Sequence, residues 1–344
     1  MKKVHLVTGG CGFVGKHLIN RLLEKTDDCI VVVDDLCIGH VPDSWSLEKS
    51  NKHLHPISER MIFIYEDIRR YFRKEEYYNK EISKFFTSWD GRYNDVYHFA
   101  AVVGGRSMIE ENPLYVAVDL SIDAEFFHWA SSHRPDRILY PSSSAAYPIE
   151  LQSKENHKQL EESDINFNQI SSPDLTYGWA KVTGEMLARL CHKKTGIHIA
   201  CIRPFSGYGP GQSLDYPVPS ILARIKNNES PIEVWGDGNQ SRDFVYIDDV
   251  IDAMTHILDN VRDGGALNIA SGKATSFNQL ITTGMKIVGI NSDIKPLTHK
   301  PVGVHKRYGS PELCRVVTGW ESRISLEEGL TRVLDFMAQS AIKT

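Results

Sequence analysis

No stretch of apolar residues in this sequence is long enough to cross a bilayer, which excludes a membrane-spanning helix and makes a membrane partner unexpected. Met1-Lys2-Lys3-Val4 has the charge of a signal-peptide start. Gly and Thr break the apolar stretch after it, however, and no small-residue cleavage site follows, so it reads as the lead into a first strand. Cysteine is sparse: Cys11, Cys29, Cys37, Cys191, Cys201 and Cys314 are scattered without a Cys-x-x-Cys pair. That pattern points to reduced thiols and a cytoplasmic location. Clusters of metal ligands are lacking too. His53 and His55 sit two apart in a polar stretch with no second ligand pair, so no metal is expected. Nor is there an excess of positive charge. The formal net charge of −5 speaks against nucleic acid as a partner, and the short basic run His192-Lys193-Lys194 fits a helix C-terminus meeting its own dipole.

What is present is an ordinary globular composition, 41% apolar over 344 residues, long enough for two domains. The apolar run Val4–Val7 ends in a glycine-rich loop, after which Val14, Leu18, Leu22 and Leu23 recur at helical spacing. Ile30-Val31-Val32-Val33 then reads as a buried parallel strand that closes a βαβ unit at Asp34. Further strands are expected at Met61–Tyr65, Val96–Ala101, Arg137–Pro141 and Ile197–Ile202, separated by helical patterns. This is the alternation of a doubly wound parallel α/β sheet. The polar stretch between Gly39 and Glu59 reads as a surface loop with room for a short helix. The second half is marked by helix caps: Ser276 with Gln279 and closing Gly289, Ser310 with Pro311 at the first turn, and Ser325 with Glu328. The expected division is a cofactor domain over 1–204, with a returning segment near 240–262, and a smaller α/β substrate domain over 205–344.

Three constellations carry chemistry. Residues 8–15, Thr-Gly-Gly-Cys-Gly-Phe-Val-Gly, place Gly9, Gly12 and Gly15 between a strand and a helix. The first glycine permits a tight turn, the second lets backbone approach a pyrophosphate, and the third lets the helix pack on the sheet, as a dinucleotide site requires. Such loops also serve as plain turns. Asp34 adds weight, because a carboxylate at the end of the next strand accepts from adenosine ribose hydroxyls and repels a 2′-phosphate, favouring NAD over NADP. Alternatively, Asp34-Asp35 merely caps the following turn. The second constellation is Tyr177-x-x-x-Lys181 in the helical stretch Thr176–Lys194, which Gly196 ends. Spacing of four puts both side chains on one face, and an ammonium beside a phenol stabilises phenolate, a proton acceptor near neutral pH. By itself this pattern is common on solvated helix faces; its weight comes from standing downstream of the glycine loop. The third is Ser142-Ser143-Ser144-Ala145-Ala146-Tyr147-Pro148, directly after a strand end that meets the ligand crevice of such a sheet. A hydroxyl there can hold a reacting sugar oxygen, although a serine run is more often just a loop.

On these residues the chain resembles the extended short-chain dehydrogenases/reductases of the NAD-dependent epimerase/dehydratase family, over nearly its full length. The matching segments are TGGCGFVG (8–15), Asp34-Asp35-Leu36, Glu66-Asp67-Ile68, HFAA (98–101), SSSAAYP (142–148), YGWAK (177–181), RPFSGYGPGQ (203–212), WGDGNQSRDFVYIDDV (235–250) and NIASG (268–272). The resemblance implies a Rossmann-type cofactor domain with a smaller nucleotide-sugar domain. It assigns Ser143, Tyr177 and Lys181 to catalysis. It places Gly9, Gly12, Phe13, Val14, Gly15, Asp34, Asp67, Ile68, Ala100, Ala101, Val103, Tyr177, Lys181 and Pro204 around NAD, with Asp67 and Ile68 at the adenine. It places Gly104, Gly105, Ser143, Ser144, Tyr177, Ser206, Arg242 and Arg307 around a nucleotide-sugar substrate, with Arg242 on the diphosphate. It also implies a homodimer through the helices near Pro113–His133 and Thr176–Lys194.

A narrower resemblance is to the GDP-mannose 3,5-epimerases, through Gly104-Gly105, Tyr147-Pro148, WGDGNQSR (235–242) and GVHKRYGSPELCRVVTGW (303–320). It implies a GDP-sugar and makes Arg307 a second diphosphate contact. The departures bear on the reaction. Ala145 stands where those enzymes carry a catalytic cysteine, and their partner lysine falls near Pro217. Ser144 stands where dehydratases and decarboxylases carry an acid beside the catalytic hydroxyl. Asp119 and Ser206 replace asparagines usual in the family. What remains is oxidation and reduction at C4, so the expected activity is a C4-epimerase working through a transient 4-ketosugar. A net C4 dehydrogenase or 4-ketosugar reductase is the alternative, and a non-catalytic NAD-binding sensor or scaffold a second one.

Overall fold

A computed structural model describes residues 2–45 and 53–341. The first seven strands are β1 (Val4–Thr8), β2 (Cys29–Asp34), β3 (Leu54–Ser58), β4 (Met61–Tyr65), β5 (Asp95–His98), β6 (Arg137–Pro141) and β7 (His198–Pro204). Short strands β8 (Ser206–Tyr208), β9 (Ile232–Trp235), β10 (Ser241–Arg242) and β11 (Phe244–Tyr246) follow, then β12 (Asp263–Ile269), β13 (Thr275–Ser276), β14 (Ile294–Leu297) and β15 (Lys306–Arg307). The central sheet runs β12-β7-β6-β5-β1-β2-β4-β3. Its strands are parallel except β3, which pairs antiparallel with β4. Every residue of β2, Cys-Ile-Val-Val-Val-Asp, is buried, as an unbroken apolar strand must be when helices cover both faces of a parallel sheet.

The six strands expected from the apolar runs are all present, Met61–Tyr65 and Arg137–Pro141 with the expected ends and the others with ends displaced by a few residues. The stretch from Gly39 to Glu59 is corrected: its later part is the edge strand β3 rather than a loop, while its residues 46–52 lie outside the described ones. Pro56 and the alternating burial of Leu54–Ser58 hide that strand, and proline is tolerated there because an edge strand leaves backbone groups unpaired. After the short strands that follow β7, the chain returns to the central sheet, where β12 adds the outer parallel strand beside β7.

One face of the sheet is covered by α1 (Phe13–Lys25) and, beyond α2 (Ile68–Arg73), α3 (Glu75–Ile82), α4 (Arg106–Glu111), α5 (Pro113–Val116), α6 (Asp119–His133), α7 (Leu175–Thr195) and α8 (Pro217–Lys226), by α9 (Ile247–Asn260). Leu18 and Ile19 of α1 pack there with Met254 and Ile257 of α9. On the other face α2, α6 and α7 bury Phe72, Phe126, Trp129 and Ala188 against Ile138 and Tyr140 of β6. The C-terminal part adds α10 (Phe277–Val288), α11 (Glu312–Thr318) and α12 (Leu326–Ala341). The cap signals hold at α10, where Ser276 and Gln279 form a reciprocal capping box and Gly289 ends the helix at φ +78. At α11 the start falls one residue later than expected, with Pro311 at the cap position itself. Among the described residues no helix is long and apolar enough to cross a membrane.

Candidate active site

The loop after β1 sits where the strand order reverses, since β1 is flanked by β2 on one side and β5 on the other. Ligands of doubly wound sheets bind outside the strand ends at such a switch point. Gly9 has φ +65, and a Cβ there would lie 2.6 Å from the nitrogen of Ala100. A Cβ on Gly15 would lie 2.7 Å from the carbonyl oxygen of Gly9. Side chains are therefore excluded both above the turn and beneath it, which leaves bare backbone and the first turn of α1 to face a pyrophosphate. Phe13 and Val14 open that helix.

Asp34 ends β2 almost fully buried. It accepts hydrogen bonds from the Cys11 N–H and the Leu36 N–H, each at 2.8 Å. The carboxylate thus caps its own turn and also pins the glycine loop. Burial pushes it above the usual carboxylate range against those two bonds, and each oxygen retains a second acceptor site for a ribose hydroxyl. Asp67 caps α2 and is held by Arg69 through its backbone N–H at 2.8 Å and its guanidinium at 2.7 Å. Any contact to an adenine is shared with that cation. Ile68 beside it is buried. Ala100 donates its N–H to Thr8 Oγ1 at 3.2 Å; Ala101 and Val103 follow β5 and Pro204 ends β7, all three partly exposed.

Tyr177 and Lys181 lie on one face of α7, with the Lys181 ammonium 5.5 Å from the centre of the Tyr177 ring and 5.6 Å from that of Tyr140. Lys181 is buried, which opposes its charge. Tyr177, Asp119 and Asp123 outweigh that and hold its pKa above the ordinary lysine value. The serine turn is packed directly against this helix: the Asp174 N–H donates to Ala145 O at 2.9 Å, and a Cβ on Gly178 would come within 2.4 Å of the same oxygen. Only glycine lets Tyr177 approach the turn so closely. Within the turn the three serines separate. Ser142 Oγ donates to Glu185 inside the core, and Ser144 is buried. Ser143 accepts from the Ala145 N–H at 3.1 Å, which leaves its hydroxyl hydrogen to donate into the crevice. Gly104 and Gly105 lie at the start of α4, and a Cβ on Gly105 would meet Asp215 O at 2.6 Å. Ser206 is tied by its N–H to Asp243 O at 2.9 Å.

Arg242 and Arg307 are register partners on the paired strands β10 and β15. Arg242 donates to the carbonyls of Ser241 (2.8 Å) and Val302 (3.0 Å). Burial, and then the neighbouring Arg307 guanidinium, draw it down to about 9. Arg307 donates to Gln152 Oε1 at 2.5 Å and Asp174 Oδ2 at 2.8 Å. A third guanidinium joins them that sequence reasoning missed: Arg106 Nη1 bonds both oxygens of Asp174, at 2.9 and 3.0 Å. The cluster carries more positive than negative charge around the buried Asp174, with its arginines partly open to solvent, an arrangement suited to a phosphate or carboxylate. Arg106 and Asp174 left only a slight signal in the sequence, one following Gly104-Gly105 and the other three residues before Tyr177.

The sequence profile of the NAD-dependent epimerase/dehydratase family matches residues 5–270. A putative UDP-glucose 4-epimerase from Methanocaldococcus jannaschii is 29% identical over 337 residues, 96% of this chain and 97% of its own. Among solved structures, UDP-glucose 4-epimerase with UDP-glucose from Thermotoga maritima aligns with a TM-score of 0.80 at 24% identity, covering 98% of this chain and 99% of that one. UDP-glucuronic acid 4-epimerase from Bacillus cereus, in complex with UDP-glucuronic acid and NAD, aligns at 0.76 and 25% identity, covering 98% and 99%. Together with a cradle that admits only glycine, these matches make the chain a member of the NAD-dependent epimerase/dehydratase family, an enzyme whose cofactor is NAD.

Proposed function

We propose that this enzyme interconverts C4 epimers of a UDP-linked sugar through a transient 4-ketosugar. The observation that carries the reading is the packing of the Tyr177/Lys181 face of α7 on the Ser143 turn, with Ser144 and Ala145 in the two places beside it where a further acid or base would stand. Gly9, Gly12, Gly15, Asp34, Asp67, Ile68, Ala100 and Ala101 would hold NAD. When bound there, NAD would supply reversible hydride exchange with C4 of the sugar, the redox half of the interconversion. The Tyr177 oxygen takes the proton of the C4 hydroxyl and later gives it back. Lys181 keeps its charge 5.5 Å from the centre of that ring, where a cation favours negative charge on the reacting oxygen. Ser143 donates to the reacting oxygen, and Arg242 and Arg307 hold the diphosphate.

The base is the finer point. Guanosine is what the narrower sequence resemblance implies, whereas the relatives and neighbours described above are named for UDP-sugars, which favours uridine. Assembly as a homodimer is supported by large apolar side chains left exposed on α5, α6 and α7, among them Leu114 at 84%, Trp179 at 44% and Leu190 at 54%.

The test offers purified protein an excess of UDP-glucose, UDP-glucuronic acid or GDP-mannose, deuterated at C4, with no added cofactor. Expected is a C4 epimer formed over many turnovers with the deuterium still on C4, from a UDP-sugar. A 4-ketosugar accumulating in step with NADH absorbance overturns the epimerase reading in favour of a dehydrogenase. Turnover confined to the GDP-sugar overturns the base.

A further inference from the structure

Asp174 precedes α7 at its cap position, yet its side chain makes no capping bond to the helix. A carboxylate there ordinarily turns back to the first free N–H groups. Instead it reaches out to Arg106, at 2.9 and 3.0 Å, and to Arg307, at 2.8 Å. Burial alone would raise its pKa, but the guanidiniums of Arg307 and Arg106 prevail and hold it below the usual carboxylate range. Glu110 pairs with Arg106 at the more exposed rim. The main chain of Asp174 is tied as well, its N–H to Ala145 O and its carbonyl to the Gly178 N–H, both at 2.9 Å. The next residue, Leu175, opens the helix at φ +54. That conformation is strained for a leucine and persists only where the surroundings enforce it.

We propose that Asp174 is a positioning residue that ties the first turn of α7, and with it Tyr177, to the arginines that receive the substrate's diphosphate. The proposal rests on the assignment of Arg307 and Arg242 to the diphosphate in the preceding section. Arg307 spends Nε on Gln152 and Nη2 on Asp174, so its fork is oriented before a phosphate arrives. A phosphate on its remaining N–H groups stiffens the same guanidinium that anchors Asp174. Occupancy of the diphosphate site is thereby transmitted to the helix turn bearing Tyr177. Without the carboxylate the arginines still attract the anion, but the turn is released, Leu175 relaxes, and Tyr177 moves relative to Ser143.

The experiment compares amide hydrogen exchange over residues 175–181, with and without UDP, in the full-length NAD-loaded protein and in Asp174→Asn, alongside calorimetric UDP binding. In the parent, UDP should slow exchange in this turn. In Asp174→Asn, UDP should still bind while leaving exchange there unchanged, and kcat should fall on the order of 10- to 100-fold, the scale of a small misplacement of a reacting group, with KM little altered. Asp174→Glu should recover part of kcat. If Asp174→Asn does not fold, Arg106→Gln carries the test, with partial loss of the same protection. Equal protection by UDP in parent and variant overturns the proposal, as does an unchanged kcat. UDP binding to Arg307→Ala as tightly as to the parent refutes the diphosphate assignment instead, and the coupling built on it.

Discussion

Ser142 Oγ donates to Glu185 Oε1 at 2.5 Å, joining the turn that carries Ser143 to the helix that carries Tyr177. The same carboxylate receives Arg203 of β7 in a two-pronged pair, Nε at 2.8 Å and Nη2 at 2.7 Å, and Arg203 goes on to the Tyr147 hydroxyl at 3.1 Å. Removing one partner of a buried pair strands the other charge. Glu185→Gln should therefore lower unfolding stability by about 3–5 kcal/mol, read from denaturant titration. A loss smaller than about 1 kcal/mol would mean that the pair is no better than a surface one.

Tyr177→Phe removes the proposed proton acceptor and keeps the ring that Lys181 faces. Turnover should drop by at least roughly 10²-fold, as expected for loss of a general base, while NAD content and melting temperature stay near those of the parent. Turnover close to normal would place the proton transfer elsewhere.

Asp34→Ala deletes the carboxylate that pins the glycine loop and that is proposed to receive the ribose hydroxyls. The parent should bind NAD far more tightly than NADP, and the variant should narrow that gap, chiefly by weakening NAD. Titration of both dinucleotides by intrinsic fluorescence decides it. Equal affinities in the parent would contradict the role given to Asp34.

Arg242→Ala and Arg307→Ala should each weaken UDP binding by about 1.5–3 kcal/mol, the scale of a hydrogen bond to a charged group. Calorimetry with UDP and GDP side by side also ranks the bases. An unaltered UDP affinity in both variants would remove the diphosphate from this cluster.

Asp119 is buried beside Lys181 and accepts the Val102 N–H at 2.5 Å; burial, opposed by Lys181, pushes its carboxyl up to about 6. A folded carboxyl that titrates above its ordinary value holds its proton more tightly than the unfolded chain does. Its contribution to stability is full below about pH 4 and is lost as pH rises through about 6. Asp119→Asn abolishes that loss, so the variant should gain on the parent by about 2–3 kcal/mol between pH 4 and pH 7. A stability difference that stays flat with pH would show that Asp119 does not titrate in this window.

The interior strands are legible in the sequence because a strand buried on both faces must be an apolar run, as Ile30–Val33 is. Helix α7 is legible from Tyr177, Lys181 and its terminal Gly196, which adopts φ +76. The edge strands are not. Pro56 interrupts β3, and Gly264 and Gly265 interrupt β12, where the register with β7 also shifts. In the site, the glycine loop and the Tyr/Lys pair are local patterns and announce themselves. The Asp174 contacts span 68 residues to Arg106 and 133 to Arg307, distances over which no spacing rule operates. Their partnership exists only once the chain has folded.

The position of β12 has a consequence for synthesis on the ribosome. The cofactor-binding sheet cannot acquire its last parallel strand until the ribosome has passed residue 269, because residues 205–262 are translated between β7 and β12. At typical elongation rates that gap takes on the order of several seconds. Throughout it, the hydrogen-bonding edge of β7 waits without a neighbour, the kind of edge that invites a foreign strand. Nascent chains stalled in this window should be the ones that chaperones hold.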